Sequence, residues 1–462
     1  MFSQENLWKT RCMKKNPRKI NKEETVILGA GVTGLAAGFA SDLPVYEAQE
    51  VAGGICSSYY IKKTASKKLQ EPPKDAEAYH FEIGGGHWIF GGDPVVVKLI
   101  NDLAPCKTYT RSASIYLPKE NIFVPYPIQN HLRFLKSETR EKALSEMTEN
   151  ARREKDVRTM GEWLEKSFGK TLCDLFFYPF HEMYTAGIWK DITPQDSYKS
   201  PVDLKLATKG AREESNAVGY NTTFIYPKDG LNTLVKGLAR RQKIRYGKKV
   251  TQIDIKKKII YFEKSTPTQY KQIISTLPLN KIVQLTGIDV GEKAHPSPAI
   301  LVLNIGAEKG VNCPKDHWVY IPESKAGFHR VGFYSNVDES FLPLSERGKG
   351  KKVGIYVEKA YKENSKIDQE ELELYTQETI KELQEWGWIK KVDVADPTWI
   401  DVAYTWSWPQ SKWKEKSLKA LQDNDIYQVG RFGRWVFQGI SDSIRDGLAA
   451  GAAFKKTSAK RR

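Results

Sequence analysis

Three glycines, at positions 29, 31 and 34, have the spacing of a turn that binds the phosphates of a dinucleotide. They follow a short apolar run and precede a run of small residues, a pattern that predicts strand, turn and helix. In such a unit Gly29 permits a tight bend, Gly31 lets the backbone approach the pyrophosphate, and Gly34 lets helix and strand pack closely. Free N–H groups at the start of the helix then attract phosphate.

A carboxylate and a second set of glycines follow this turn. Glu47 lies at the end of the next predicted strand, where it can accept hydrogen bonds from ribose hydroxyls and disfavours the 2′-phosphate of NADP. Gly53 and Gly54 resemble the extended fingerprint of amine-oxidase-like FAD proteins, whose extra glycines let the backbone pass close to the pyrophosphate and the isoalloxazine ring. A strand around Val250 is similar to a later strand of their cofactor domain. This resemblance implies that the cofactor is FAD.

Composition and charge exclude several classes of protein. The 462 residues are 40% hydrophobic and 28% charged, and no run approaches the ~18 apolar residues of a membrane-spanning helix. Much of the excess behind the net charge of +16 lies in basic tails at 1–23 and 456–462, which we interpret as solvated segments. No recognition module accompanies them, so no nucleic-acid partner is predicted. Five cysteines without CxxC spacing indicate reduced thiols, a cytoplasmic protein and no metal site.

The order of the predicted elements indicates an α/β fold whose domains are built from distant segments. Glycine motifs at both ends of the chain predict a Rossmann-like, glutathione-reductase-like FAD-binding domain formed by 24–95, 224–290 and 425–455. Apolar residues at helical spacing predict a helical insertion over 130–215. The remaining segments predict a β-rich substrate domain formed by 96–129 and 296–424.

Local patterns predict individual elements inside these domains. The sequence favours helices at 231–238 and 370–385, and a hairpin of strands at 250–254 and 259–262. A closing helix is expected from about Ser441.

Five segments resemble one branch of the amine-oxidase-like flavoproteins, the UDP-galactopyranose mutases, and most closely their eukaryotic-type members. They match that family's motifs in the family's order, within a resemblance that spans about residues 24–455: G-G-H-W-I-F at 85–90, V-P-Y-P-I-Q-N at 124–130, W-V-Y-I-P-E at 318–323, F-H-R-V-G-F-Y-S-N at 328–336 and G-R-F-G-R-W at 430–435. The resemblance implies that the first and last of these motifs place glycines beside the flavin, at Gly85, Gly86 and Gly430.

The resemblance implies a reaction without net redox change, in which the pyranose and furanose rings of a nucleotide-linked sugar interconvert. The reduced flavin supplies the nucleophile through N5, as in covalent catalysis by a cofactor. The implied partners are therefore a nucleotide-diphosphate sugar and an external reductant such as NAD(P)H. A homo-oligomer is left open.

Site residues follow from the same resemblance. His87 is expected beside the flavin and Arg330 at the diphosphate, since a guanidinium suits the bidentate geometry of phosphate. Arg431, Gly439, Ile440 and Ser441 would hold the ribityl-phosphate side of the flavin at a helix start. The expected substrate-lining residues are Trp318, Tyr320, Asn336, Trp408 and Phe437. Tyr126 and His181 are interpreted as structural.

Departures from the family pattern keep other functions open. Trp408 and Phe437 stand where the family has tyrosines on the diphosphate, and Tyr178 stands where its eukaryotic members carry an arginine. Paired aromatic rings without hydroxyls suit an amine or an apolar substrate. A second hypothesis is therefore an oxidase or desaturase of the amine-oxidase or protoporphyrinogen-oxidase type. A third is an FAD-containing binding protein whose basic tails dock a partner.

Overall fold

The computed structural model describes residues 20–63, 67–152, 156–194, 202–213, 222–240 and 242–459. The basic residues of both tails that fall before 20 or after 459 lie outside this range, and so does Cys12. Two short segments predicted as tail have regular structure: Asn21–Lys22 forms a strand, and the last helix continues past residue 456 to Ala459.

A five-stranded parallel sheet carries the glycine turn predicted from the sequence. In spatial order its strands are β10 (Ile244–Arg245), β3 (Val45–Tyr46), β2 (Thr25–Leu28), β14 (Gln272–Ser275) and β20 (Ile426–Gln428). All five strands come from the three segments predicted to form the cofactor domain. Every residue of β2 is buried, which explains its continuous apolar sequence, since a parallel strand is covered on both faces.

Helices cover this sheet and pack closely on one another. The helices of this part are α1 (Val32–Ser41), α2 (Pro94–Leu103), α7 (Leu231–Ala239), α8 (Leu279–Thr286), α11 (Trp413–Gln422), α12 (Gly430–Gly433) and α13 (Ile440–Ala459). Gly447 and Gly451 of α13 lie against backbone oxygens of α1, at Thr33 and Ala37, where a Cβ would overlap. Small residues therefore let α1 and α13 approach closely.

A seven-stranded sheet forms the second layer. In spatial order it consists of β19 (Ile389–Ile400), β15 (Ala299–Lys309), β18 (Lys352–Tyr361), β17 (Arg330–Phe333), β16 (Trp318–Tyr320), β7 (Ala113–Leu117) and β8 (Ile122–Pro125). The pairs are antiparallel except for β16 with β7, which is parallel. Two further helices belong to this region: α9 (Tyr334–Val337) and α10 (Gln369–Glu385).

Smaller sheets complete the β structure. A four-stranded sheet has the order β1 (Asn21–Lys22), β13 (Thr268–Gln269), β12 (Ile259–Phe262) and β11 (Val250–Asp254), and β11 with β12 forms the predicted hairpin. Two ribbons pair β4 (Ser58–Ile61) with β5 (Tyr79–Glu82), and β6 (Cys106–Thr110) with β9 (Thr223–Pro227). The predicted helices at 231–238 and 370–385 are confirmed as α7 and α10.

The segment predicted to be helical contains α3 (Ser137–Ala151), α4 (Met160–Leu172), α5 (Tyr178–Tyr184) and α6 (Leu204–Arg212). A capping box between Thr159 and Glu162 fixes the start of α4. A π-helical turn, Cys173–Phe177, joins α4 to α5. This segment packs aromatic side chains toward the seven-stranded sheet, as Phe180 on Tyr320 shows at 5.5 Å between ring centroids. The α/β fold class predicted from the sequence is confirmed.

Within the described residues, no helix is long and apolar enough to cross a membrane. The same part of the chain contains no cluster of three or more His, Cys, Asp or Glu side chains arranged for a metal ion.

Candidate active site

A cavity of about 890 Å³ lies between the parallel sheet, the seven-stranded sheet and the helical segment. Most of the residues predicted for the site line it: Gly29, Gly31, Glu47, Gly53, Gly54, Gly86, His87, Val250, Trp318, Tyr320, Arg330, Arg431, Phe437, Gly439 and Ile440. The fold thus brings together motifs that are up to about 400 residues apart in the sequence. One end of the cavity is formed by glycine turns and the other by aromatic side chains of the helical segment.

The first glycine turn leaves space where a pyrophosphate would pass. Gly29 has φ +95°, and Gly34 lies against the carbonyl oxygen of Gly29, where a Cβ would overlap. A Cβ on Gly31, by contrast, would meet no atom within 4 Å, although Gly31 directly precedes α1 and lines the cavity. Open space at a helix start, where N–H groups point outward, fits the phosphates of a dinucleotide.

Glu47 is fixed at the same end of the cavity by the backbone. Its Oε2 accepts a hydrogen bond from the Ala30 N–H at 2.7 Å, and its Oε1 accepts one from the Gln49 N–H at 2.9 Å. These bonds hold the carboxylate between the first glycine turn and the segment after β3. Glu47 lines the cavity together with Val250, a position in which a carboxylate could accept the ribose hydroxyls of a dinucleotide.

Two further pairs of glycines follow the first turn along the chain. Gly53 and Gly54 contact that turn, and Gly85 and Gly86 contact the seven-stranded sheet. Gly53 and Gly54 have φ +112° and +57°, and the N–H of Gly53 donates to the Ala30 carbonyl at 2.8 Å. Gly85, with φ +76°, does not line the cavity; a Cβ there would lie 3.0 Å from Oε1 of Glu358. Gly86 lines the cavity and packs on the Tyr356 hydroxyl. Glycine is therefore required here because the loop rests on β18.

His87 follows this loop and is neutral at physiological pH. Burial, with a further contribution from the positive charge of Arg431, lowers the pKa of His87 to about 4. Its Nδ1 lies 3.4 Å from the carbonyl oxygen of Gly85, and its ring lies against Gly84, where a Cβ would be 2.5 Å from the imidazole. The ring is thus held against the loop, and an uncharged imidazole faces the cavity.

The C-terminal glycine turn completes the first end of the cavity. Gly430, with φ +76°, packs on Thr33 at the start of α1 and does not itself line the cavity. Arg431 does line it; its Nη1 donates to the Gln438 carbonyl at 3.3 Å, and its guanidinium lies 4.4 Å from the centroid of the Phe437 ring. Gly439 and Ile440 then present the start of α13 to the cavity.

Arg330 and Glu358 form a bidentate ion pair at the middle of the cavity. Arg330 begins β17, and its Nε and Nη2 donate to the Glu358 carboxylate at 3.0 and 2.6 Å. Glu358, on β18, is buried, and burial raises the pKa of this carboxyl while the Arg330 charge opposes the rise. Arg330 keeps a quarter of its side chain exposed, and its Nη1 has no hydrogen-bond partner within the described part of the chain.

Aromatic side chains form the other end of the cavity. Tyr320 packs on Tyr126 with the two rings tilted and 4.7 Å between their centroids. The helical segment contributes Trp163, Phe168, Phe176, Phe177, Phe180 and Tyr184. Tyr184 packs on Tyr404 at 4.6 Å, and the Tyr404 hydroxyl is 3.5 Å from Oε2 of Glu358. The ion pair therefore lies between the glycine loop and this aromatic wall.

Besides Gly34, Gly85 and Gly430, three further predicted site residues do not line the cavity. Asn336 donates through Nδ2 to the carbonyls of Pro314 and Asp316, at 2.9 and 2.7 Å, and so stabilises the loop before β16. Trp408 donates through Nε1 to the Ala294 carbonyl at 2.8 Å, under the ammonium of Lys293. The Ser441 hydroxyl faces Gly92. The polar atoms of Asn336 and Trp408 thus bond to backbone carbonyls, and neither side chain lines the cavity. For Ser441 the prediction concerned the backbone at the start of α13, and it stays a prediction.

Several residues that the sequence does not predict also line the cavity, namely Glu358, Tyr404, Tyr184, His329 and Tyr356. A signal was available for Glu358, because a lone carboxylate interrupts the buried apolar run of β18 and such a charge needs a partner. Tyr178, in the position where an arginine was expected, lies outside the cavity; it stacks on Trp189 at 4.7 Å and donates to Glu165 at 2.8 Å.

A family model described as flavin containing amine oxidoreductase matches residues 30–299, and the chain belongs to this family. Its fold is similar to that of reduced UDP-galactopyranose mutase, with a TM-score of 0.80 and 20% identity over 94% of this chain and 96% of that one. It is less similar to putrescine oxidase bound to putrescine, with a TM-score of 0.57 and 13% identity over 94% and 99% of the two chains. A fatty acid isomerase from P. acnes gives a TM-score of 0.56 and 14% identity over 93% and 98%.

Proposed function

We propose that this protein is an FAD-dependent mutase that interconverts the pyranose and furanose forms of a nucleotide-activated sugar. Three observations support the proposal. The sequence motifs resemble those of UDP-galactopyranose mutases, the fold is more similar to a solved mutase than to putrescine oxidase, and a cavity of about 890 Å³ joins the flavin-type glycine turns to an arginine and an aromatic wall. An isomerisation without net redox change requires the protein to bind and orient the substrate rather than to accept electrons from it.

The described residues fit FAD. The open space at Gly31 and the start of α1 would take the pyrophosphate, Glu47 would accept the ribose hydroxyls, and Arg431 with the start of α13 would lie at the ribityl-phosphate side. When bound and reduced, for example by NAD(P)H, the cofactor supplies a nucleophile at N5. His87, uncharged beside the glycine loop, would offer a neutral hydrogen-bonding group there without adding positive charge.

The position of Arg330 in the cavity is the observation that best supports a nucleotide-diphosphate sugar as the substrate. It lies between the flavin-type loop and the aromatic wall, so a substrate with its sugar at the loop would place its diphosphate near Arg330. Glu358 holds the guanidinium through Nε and Nη2 and leaves Nη1 for a ligand. Such a fixed guanidinium suits phosphate oxygens, because the geometry is set before binding.

Replacing Arg330 with alanine should weaken binding of a UDP- or dTDP-sugar roughly 10- to 100-fold, because hydrogen bonds to charged groups contribute about 1.5–3 kcal/mol. Isothermal titration calorimetry of the FAD-loaded protein would measure the change. Arg330→Lys should retain part of the affinity, since it keeps the charge without the planar fork.

Arg245→Ala serves as the matched control for this test. Arg245 is paired with Glu23 at 2.6 Å and does not line the cavity, so its loss should leave nucleotide-sugar affinity within about twofold of the wild-type value. Unchanged affinity in Arg330→Ala would remove the diphosphate assignment.

A second candidate function, oxidation of an amine or an apolar substrate, is favoured by one feature. Glu358 compensates the charge of Arg330, so the middle of the cavity carries less positive charge than two phosphates would suggest. On one side of this pair, Trp163, Phe168, Phe176, Phe177 and Phe180 offer apolar π surfaces to a ligand, and Phe437 also lines the cavity. On this alternative the substrate would transfer hydride to oxidised flavin.

A further inference from the structure

His181 is the one imidazole that the helical segment contributes to the cavity wall within the described residues. It lies on α5, and its ring centroid is 6.1 Å from that of Tyr184. Tyr184 in turn packs on Tyr404, whose hydroxyl approaches Glu358. His181 is therefore on the side of the ion pair away from the glycine loop. The sequence alone favours a structural role for this residue.

The tautomer of His181 follows from its own helix. Nδ1 lies 2.7 Å from the carbonyl oxygen of Phe177, and a carbonyl can only accept, so Nδ1 carries the hydrogen. Burial lowers the pKa of His181 to about 4, and the ring is neutral at physiological pH. Nε2 is then a hydrogen-bond acceptor. Nε2 has no hydrogen-bond partner within the described residues. It is also not one of the fully buried, unpaired polar atoms in that part of the chain.

We propose that Nε2 of His181 accepts a hydrogen bond from the nucleoside of the substrate. This inference rests on the proposed function, because it takes the diphosphate to lie at Arg330. With the sugar at the glycine loop, the nucleoside must extend beyond the ion pair onto the aromatic wall, where His181 lies. Phosphate oxygens cannot satisfy an acceptor, so the partner must be a ribose hydroxyl or a base N–H.

The apolar surroundings of His181 would make this hydrogen bond select between nucleosides. The wall beside His181 consists mainly of apolar rings, including Phe177 and Phe180, and Phe180 packs edge-on to the imidazole at 5.5 Å. A nucleoside without a matching donor would leave Nε2 buried without a partner. Sites built to hydrogen-bond a ligand group discriminate strongly against analogues that lack it.

Calorimetric titration of the FAD-loaded protein with UDP, dTDP, CDP, ADP and GDP would first identify the preferred nucleotide. His181→Phe, which keeps the aromatic packing and removes the acceptor, should weaken that nucleotide about 10-fold. His181→Gln, whose side-chain oxygen replaces Nε2 as acceptor, should recover most of the affinity. With the corresponding nucleotide-sugar as substrate, KM should rise by a similar factor in His181→Phe while kcat stays within about twofold.

Ligand analogues provide a readout that a purely structural role would not move. Of the N-methylated-base and 2′-deoxy analogues of the preferred nucleotide, the one lacking the donor should bind wild type about 10-fold more weakly, yet bind His181→Phe about as well as the parent. His131→Phe is the matched control, because His131 lies in the same part of the chain but does not line the cavity.

The results of these titrations distinguish a failure of the His181 hydrogen bond from a failure of the proposed function. If no nucleotide binds the wild-type protein, the proposed function falls and the inference with it. If nucleotides bind but His181→Phe matches wild type with every analogue, the inference alone is overturned. If His181→Phe and His181→Gln lose affinity equally for the parent and both analogues, the effect is on packing and the hydrogen bond is refuted.

Discussion

Replacing Gly31 with valine should lower FAD affinity at least ~100-fold, about 2.7 kcal/mol, while the apoprotein stays as stable as wild type. The backbone at Gly31 has φ −68° and ψ 173°, a conformation that any residue adopts, and its Cβ would enter open space. The substitution therefore does not strain the fold. It places methyl groups where the pyrophosphate would have to approach the start of α1. Titration of the apoprotein with FAD, together with thermal unfolding without FAD, would measure both quantities.

Two other glycines give matched controls for this prediction. Gly354 on β18 is buried away from the cavity, and its Cβ would make only ordinary contacts at 3.9 Å, so Gly354→Ala should leave FAD affinity unchanged. Gly34→Ala should instead lower the melting temperature of the apoprotein, because its Cβ overlaps the Gly29 carbonyl oxygen. Tight FAD binding by a folded Gly31→Val variant would contradict the assignment of this turn to the cofactor.

Replacing Glu358 with alanine should reduce the free energy of unfolding by about 3 kcal/mol. Removing one partner of a buried ion pair leaves the other charge uncompensated, at a cost of about 3–5 kcal/mol. The lower part of this range applies because Arg330 remains partly exposed to the cavity. Chemical denaturation, monitored by circular dichroism, would measure the loss. The double variant Arg330→Met, Glu358→Leu should recover most of it, since no charge is left buried.

Glu308→Ala provides the surface control on the same sheet. Glu308 pairs with Lys352 at 3.5 Å, but 45% of its side chain is exposed, so its removal should cost less than about 1 kcal/mol. Equal losses in Glu358→Ala and Glu308→Ala would show that the pair at the cavity is not a buried charge pair in the folded protein.

The parts of this site that the sequence predicts correctly are those fixed by local backbone requirements. Gly29 and Gly53 need positive φ, and Gly34 needs close approach to a carbonyl, so residue type and spacing alone reveal the turn. The sequence also predicts the buried parallel strand Thr25–Leu28, because burial on both faces imposes an unbroken apolar run.

The parts that the sequence does not predict depend on which way side chains turn in the tertiary structure. Asn336 and Trp408 lie close in sequence to residues of the site, yet their polar atoms bond to backbone carbonyls outside the cavity. Glu358 and Tyr404 meet at Arg330 from different segments, and no local pattern links them. Proximity in sequence to a motif therefore does not establish a contact with the ligand.

The ion pair also determines how the two candidate functions differ physically. If Nη1 of Arg330 binds a diphosphate, Glu358 acts as the group that fixes the guanidinium before the substrate arrives. If the substrate is an amine or an apolar molecule, the same pair is only a compensated charge beneath an aromatic cavity. In the first case the reaction at the flavin leaves the substrate without net oxidation. In the second case the flavin oxidises the substrate.

The most direct test is an anaerobic incubation of dithionite-reduced protein with a panel of UDP- and dTDP-hexoses, followed by chromatography of the nucleotide sugars. We predict a ring-isomerised product that forms only with reduced protein and without net oxidation of the sugar. Oxidised protein should give none. Absence of isomerised product from the whole panel, with oxidised flavin being reduced by an amine or an apolar substrate instead, would contradict the proposal and establish the oxidase alternative.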